Sequence, residues 1–288
     1  MKFAVSAYSF SQYIRQGKMT HFDSVAKAKE MGFDGIEFTE IDGEDLNAQK
    51  ENARKIRKEA DRVGFEVVAY SIGASLYKET QEEMDAEVER LKSELDIAKI
   101  LGVKLMRHDV CYKLGKKGNA RSFDLMLPTI AENARKVTEY GESLGIKTCS
   151  ENHGLIAQDS DRMERLFNAV NHENYGLLVD MGNFLCADED PAIAVSRVAP
   201  YAIYVHAKDM LARKECDGAK TWFQSRGCTY LKGVTIGEGD IPVKKCIEIL
   251  KKAGYDDYIS IEFEGVEDCI NGIARGFENL KAMVNSLK

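Results

Sequence analysis

Apolar residues at Met84, Val88, Leu91, Leu95, Ala98 and Leu101 fall at steps of three and four, which places them on one face of a helix. The stripe stops at Gly102, and a short apolar run, Val103-Lys104-Leu105-Met106, follows directly. The order helix, glycine, strand recurs at Gly32-Phe33, Gly64-Phe65, Gly145-Ile146 and Gly254-Tyr255. Glycine suits these junctions because it enters the left-handed, helix-ending conformation cheaply.

Strands are predicted at 3–7, 35–38, 66–70, 103–107, 147–150, 176–179, 202–205 and 258–261, each followed by a helical pattern or a loop leading to one. Such alternation predicts parallel βα units, and eight of them close a (β/α)8 TIM barrel of about 250 residues. An open doubly wound sheet is the competing architecture, but the GxGxxG turn expected after its first strand is absent. A single domain over residues 1–288 is expected, interrupted by an irregular inserted loop at about 211–236.

Composition narrows the function classes. The net charge of −7 gives phosphate backbones no electrostatic reason to approach, so nucleic acid is not an expected partner. No run approaches the ~20 apolar residues that span a bilayer, and the N-terminus lacks the pattern of a signal peptide, so a cytoplasmic protein with no membrane partner is expected. Seven scattered cysteines include no CxxC pair and read as reduced thiols.

In a barrel of this type the active site forms at the carboxyl ends of the strands. Those ends are rich in polar residues: Arg107-His108-Asp109, Ser150-Glu151-Asn152-His153, Asp180-Met181-Gly182-Asn183, His206-Ala207-Lys208-Asp209 and Glu262-Phe263-Glu264-Gly265. A ring of strands aims Glu151, Asp180, His206 and Glu262 at a common axis. Three carboxylates and one imidazole make a hard site for one divalent metal ion, Mn²⁺ in the first place, with Mg²⁺ or Co²⁺ tolerated. The plainer reading of each residue alone is a capped loop or a salt bridge.

As an ordered set, Ser150-Glu151-Asn152-His153-Gly154, Leu178-Val179-Asp180-Met181-Gly182-Asn183, Tyr204-Val205-His206-Ala207-Lys208-Asp209, Gly237-Glu238-Gly239-Asp240 and Ile259-Ser260-Ile261-Glu262 resemble the xylose isomerase-like barrels. That superfamily includes sugar phosphate isomerases, tagatose/psicose 3-epimerases, hydroxypyruvate isomerase, inosose dehydratase and endonuclease IV. The resemblance runs over essentially the whole chain. It implies that the four residues are the metal ligands, that Glu151 and Glu262 double as acid and base, and that the chain forms a homodimer or homotetramer. The expected activity is isomerisation or epimerisation of a ketose, sugar phosphate or related polyol by proton transfer through a metal-stabilised enediolate. The runner-up is a lyase or dehydratase acting on a keto-sugar or inosose, C-glycoside cleavage included, with His153 or Lys208 as general acid. An endonuclease-like phosphodiesterase and a non-catalytic binding barrel complete the alternatives. Asn183 departs from the histidine that the epimerase-like and endonuclease-like branches carry there, which weakens the nuclease reading.

Strand alternation extends the candidate site. His153 shares parity with Glu151, and Lys208 with His206, so both are expected to contact substrate. Their plainer readings are a histidine satisfied by a loop carbonyl and a lysine paired with Asp209. His108, Asn183, Trp222 and Glu238 are further substrate-binding candidates. Against them, His108 reads equally as a core histidine, and Glu238 as part of a tight turn opening a helix. The insertion, with Arg213, Lys220, Trp222 and Arg226, suits either a lid or a subunit contact.

Overall fold

The computed structural model describes residues 1–112, 122–215 and 220–287. Eight parallel strands close a barrel: β1 (Lys2–Ser6), β2 (Gly35–Thr39), β3 (Glu66–Ile72), β4 (Leu105–His108), β5 (Lys147–Glu151), β6 (Tyr175–Asp180), β7 (Ala202–Ala207) and β11 (Tyr258–Ile261). β1 pairs with β2 on one side and β11 on the other, so the closed sheet has no free edge. All eight predicted strands are present. Their ends shift by a residue or two, and β4 starts at Leu105 because Gly102 to Lys104 complete the turn out of the preceding helix.

That helix, Gln81–Leu101, shows how local sequence sets the frame. Thr80 accepts from the Glu83 backbone N–H while the Glu83 side chain accepts from that of Thr80, a capping box at its start. Its apolar stripe is buried, and Gly102 ends it in the left-handed conformation, as Gly64 and Gly145 end two others.

Inside the barrel, side chains of one parity stack in layers. Ala4, Val68, Ala69, Leu105, Cys149, Leu178, Tyr204 and Tyr258 form an apolar floor. Two residues further along their strands lies a polar layer containing Ser6, Glu37, Ser71, Arg107, Glu151, Asp180, His206 and Ser260, all buried. Glu37 on β2 bonds His206 on β7, two strands that are not neighbours in the sheet, so this contact crosses the lumen.

The insertion corrects the sequence reading. It is not irregular: β8 (Asp209–Arg213) pairs antiparallel with β10 (Tyr230–Val234), which pairs with β9 (Phe223–Gln224). Met210 and Leu231 are buried beneath this small sheet. The strands were hard to anticipate because β9 has two residues and β10 is broken by Gly233, which weakens the alternating signal. Among the described residues, no helix is long and apolar enough to cross a membrane.

Candidate active site

Each strand delivers its functional residue at its carboxyl end. Glu151 and Asp180 are the last residues of β5 and β6, His206 is next to last in β7, and Glu262 follows β11. One ligand atom from each of the four lies within 4.8 Å of the others. His206 Nδ1 faces Glu151 Oε1 at 3.7 Å, Asp180 Oδ2 at 3.8 Å and Glu262 Oε2 at 3.8 Å. That buried nitrogen has no hydrogen-bond partner, while Nε2 is 2.7 Å from Glu37 Oε2.

The donor set fits a divalent cation. Ligands at about 2.0–2.3 Å from one ion stand roughly 3–4 Å apart, and the three distances from His206 Nδ1 fall in that range. Glu37 can accept the Nε2 proton and leave Nδ1 with a lone pair aimed at the ion, the orienting bond that metal-ligating histidines usually make. Asp180 is held similarly: its Oδ1 accepts the backbone N–H groups of Gly182 at 2.7 Å and Asn183 at 3.0 Å, which turns Oδ2 toward the cluster.

Two buried cations balance the acids. Lys208 Nζ lies 3.0 Å from Asp180 Oδ2 and 3.1 Å from Glu264 Oε1, and it touches Glu262 Oε2. Burial alone would depress its pKa, but the charges of Asp180, Glu262 and Glu264 hold it well above the ordinary lysine value. The sequence alternative of a Lys208–Asp209 pair is therefore wrong. Asp209 instead accepts backbone N–H groups of Met210, Gly237, Gly239 and Ile241 at 2.8–3.1 Å, which anchors the glycine turn. Arg107 Nη2 bonds Asp109 Oδ1 at 2.8 Å and also contacts Glu151 Oε2. Burial would raise the Glu151 pKa, but Arg107 and His206 drive it well below the usual carboxylate range. Asp180 goes the other way, pushed up to about 7 by burial and by the Glu151 and Glu262 charges against the pull of Lys208.

Above this floor opens a cavity of about 460 Å³, bordered by Glu151, Glu262, Arg107, Asp109 and His153 below and by Tyr8, Tyr112, His21 and Asp42 on its walls. His153 Nδ1 is 2.9 Å from Asp109 Oδ1, and the Tyr112 hydroxyl donates to Asp109 Oδ2. Burial disfavours protonated His153, yet the hydrogen bond and charge of Asp109 leave its pKa above the ordinary histidine value. A larger cavity, about 680 Å³, lies at the opposite end of the barrel between Lys2, Glu66, Lys147 and Tyr258 and holds none of the four ligand candidates.

Other sequence candidates are placed elsewhere. His108 has the parity opposite to Arg107, is fully buried, and bonds the Asp109 carbonyl, so it is a core histidine and not a substrate contact. Asn183 is buried, and its amide donates to Glu151 Oε1 at 2.8 Å instead of reaching the cavity. Glu238 pairs with Arg275 at the surface, 3.1 Å away, because Asp209 ties its turn back toward β8. Trp222 is half-buried outside the cavity lining. Sequence reasoning missed Arg107, Asp109 and Glu37. Parity with Leu105 in the floor points to the first two, and a lone acid between Ile36 and Phe38 points to the third.

Residues 25–283 match the family described as xylose isomerase-like TIM barrel. The chain belongs to that family. Among relatives of the xylose isomerase-like barrel, the uncharacterized protein YihM of Escherichia coli K12 is 24% identical over 271 residues, which are 94% of this chain and 74% of the relative. The fold is shared with the probable 3-DHS dehydratase AsbF of Bacillus anthracis, with a TM-score of 0.76, 17% identity and coverage of 98% and 99% of the two chains. It is shared too with an L-ribulose 3-epimerase, with a TM-score of 0.72, 15% identity and coverage of 99% and 95%.

Proposed function

We propose that this chain is a divalent-metal-dependent enzyme that removes the proton beside a carbonyl of a sugar-like hydroxy ketone. The observation that carries this reading is the convergence of Glu151, Asp180, His206 and Glu262 on one point, with Glu151 and Glu262 also lining an open polar cavity. A divalent ion bound there supplies Lewis acidity for carbonyl and hydroxyl oxygens, with Mn²⁺ the first candidate. Lys208, kept as an ammonium, adds fixed positive charge where negative charge develops.

Glu151, Glu262 and His153 divide the proton work unequally. Glu151 is a weak base because Arg107 stabilises its ionised form, so Glu262 is assigned the proton abstraction. His153, whose pKa Asp109 raises beside the cavity, is assigned as the acid. An acid and a base of different kinds favour elimination: Glu262 takes the carbon-bound proton, its electron pair forms the double bond, and the β-substituent leaves with the His153 proton. The second reading is isomerisation or epimerisation with Glu151 and Glu262 as the acid/base pair, supported by their both lining the cavity and belonging to the four-residue cluster.

One experiment separates these readings. Metal-loaded protein is incubated in D₂O with ketoses and with keto-sugars bearing a β-leaving group, and followed by NMR. Deuterium entry or a new double bond with release of the substituent supports elimination; deuterium entry without release supports isomerisation or epimerisation. Neither change in any substrate rejects both.

A further inference from the structure

The four ligand candidates occupy one half of the barrel. Glu151, Asp180, His206 and Glu262 come from β5, β6, β7 and β11, which are consecutive in the closed sheet. The other half, β4, β3, β2 and β1, carries the rest of the cavity wall, and β2 stands directly across the lumen from β6. Beside the end of β2 the cavity is bordered by His21, Thr39, Glu40 and Asp42, all polar and none with a part in the proton chemistry.

His21 is held there by three contacts. It is the first residue of the helix His21–Glu30, whose start is fixed by a capping box between Thr20 and Asp23. Its ring packs edge-on against the fully buried Phe38, with 6.5 Å between centroids. Its Nδ1 lies 2.7 Å from Asp42 Oδ2. Asp42 is in turn pinned, because the Asn52 amide donates to its carbonyl at 2.8 Å. Between β2 and Asp42 the chain turns through Glu40 in the left-handed conformation, with φ 41°. Non-glycine residues are strained there, and strain of this kind collects at functional sites.

The other ring nitrogen, Nε2, has no hydrogen-bond partner among the described residues, and the side chain, 21% exposed, borders the cavity. The imidazole thus has one nitrogen committed and one free. That free nitrogen accepts in the neutral ring and donates in the charged one, and a hydroxyl group satisfies either form because it both donates and accepts.

We infer that His21 is a specificity-determining residue that reads a hydroxyl of the substrate at the end remote from the metal site. The inference rests on the proposed reading of the main cavity as the sugar site. It makes the substrate a polyhydroxylated chain or ring long enough to meet both halves of the barrel. A three-carbon hydroxy ketone would reach only one side of a cavity of about 460 Å³.

Alditols test this without turnover, because they carry no carbonyl and no acidified C–H. Glycerol, erythritol, the pentitols and the hexitols are titrated into the Mn²⁺-loaded full-length protein. Binding is read by the paramagnetic relaxation that the ion imposes on ligand protons, which registers weak affinities. Affinity is expected to step up about tenfold where the chain first reaches His21, the scale of one hydrogen bond in an enclosed site. His21→Ala removes the step and leaves glycerol binding as in the parent. His21→Gln, whose amide can stand near the place of Nε2, keeps most of it. Equal Mn²⁺ affinity in parent and variants shows that the barrel is intact. Equal weakening of every chain length, no weakening of the pentitols and hexitols, or no binding of any alditol overturns the inference. The chain-length step without proton exchange in D₂O would sink the proposed reaction alone; proton exchange without the step would sink the role of His21 alone.

Discussion

His206 Nε2 sits 2.7 Å from Glu37 Oε2, on the opposite side of the lumen, and both side chains are excluded from solvent. Glu37 also accepts from the Tyr204 hydroxyl at 3.2 Å and the Ser71 hydroxyl at 2.5 Å. Burial would raise its pKa, but the charge and hydrogen bond of His206 bring it below the ordinary value, so Glu37 stays an anion. It therefore orients the imidazole without touching the cation site. Glu37→Gln is expected to weaken Mn²⁺ binding by about 10–100-fold. Titration against a competing chelator measures this, and unchanged affinity would refute the orienting role.

Lys208 predicts an asymmetry between metal-free and metal-loaded protein. Lys208→Met leaves Asp180, Glu262 and Glu264 without their buried counter-charge. Breaking such a set costs about 3–5 kcal/mol. Urea unfolding of the metal-free variant should show a loss of this order, and saturating Mn²⁺ should restore much of it. A metal-free variant as stable as its parent would contradict the prediction.

The His153–Asp109 pair predicts a pH profile. Because Asp109 lifts the His153 pKa above its ordinary value, an acid role makes kcat fall as pH rises through that raised pKa. Asp109→Asn removes the lift and moves the fall to lower pH. His153→Gln should reduce kcat by about 10²–10⁴ while metal affinity stays within a few-fold. A profile indifferent to Asp109→Asn would remove His153 from the proton chemistry.

His108 predicts a stability effect far from the chemistry. Burial pulls its pKa down to about 4, against about 6.5 in an unfolded chain. Between those values the unfolded state binds the extra proton, so stability is full above about pH 6.5 and is lost as pH falls toward 4. At about 1.4 kcal/mol per unit the loss reaches about 3 kcal/mol. Thermal unfolding of the protein and of His108→Leu over this range should converge at low pH; parallel curves would argue against it.

The barrel and the four ligand candidates were legible because both are written locally. Helix stripes ending in glycine mark each βα unit, and each candidate ligand stands where an apolar strand stops. Parity pointed to His153 and Lys208, which stand just past the ends of β5 and β7, His153 lining the cavity and Lys208 beside Asp180. What stayed hidden depends on contacts between strands far apart in sequence. Glu37 is 169 residues from His206, and nothing near it announces the partnership. His108 was chosen over Arg107 on residue type, although Arg107 is the one that shares parity with the interior. Glu238 sat in a matching motif, but the hydrogen bonds that turn it away come from Asp209, in another loop.

The eight side chains from Ala4 to Tyr258 that close the floor make the barrel a cup and not a tube. Nothing drains through toward the lysine-rimmed cavity at the far end. Among the described residues, Glu151 and Glu262 are reached from the mouth flanked by Tyr8 and Tyr112. For the proposed reaction, product would have to leave by the way substrate entered, so side chains at that mouth would govern exchange.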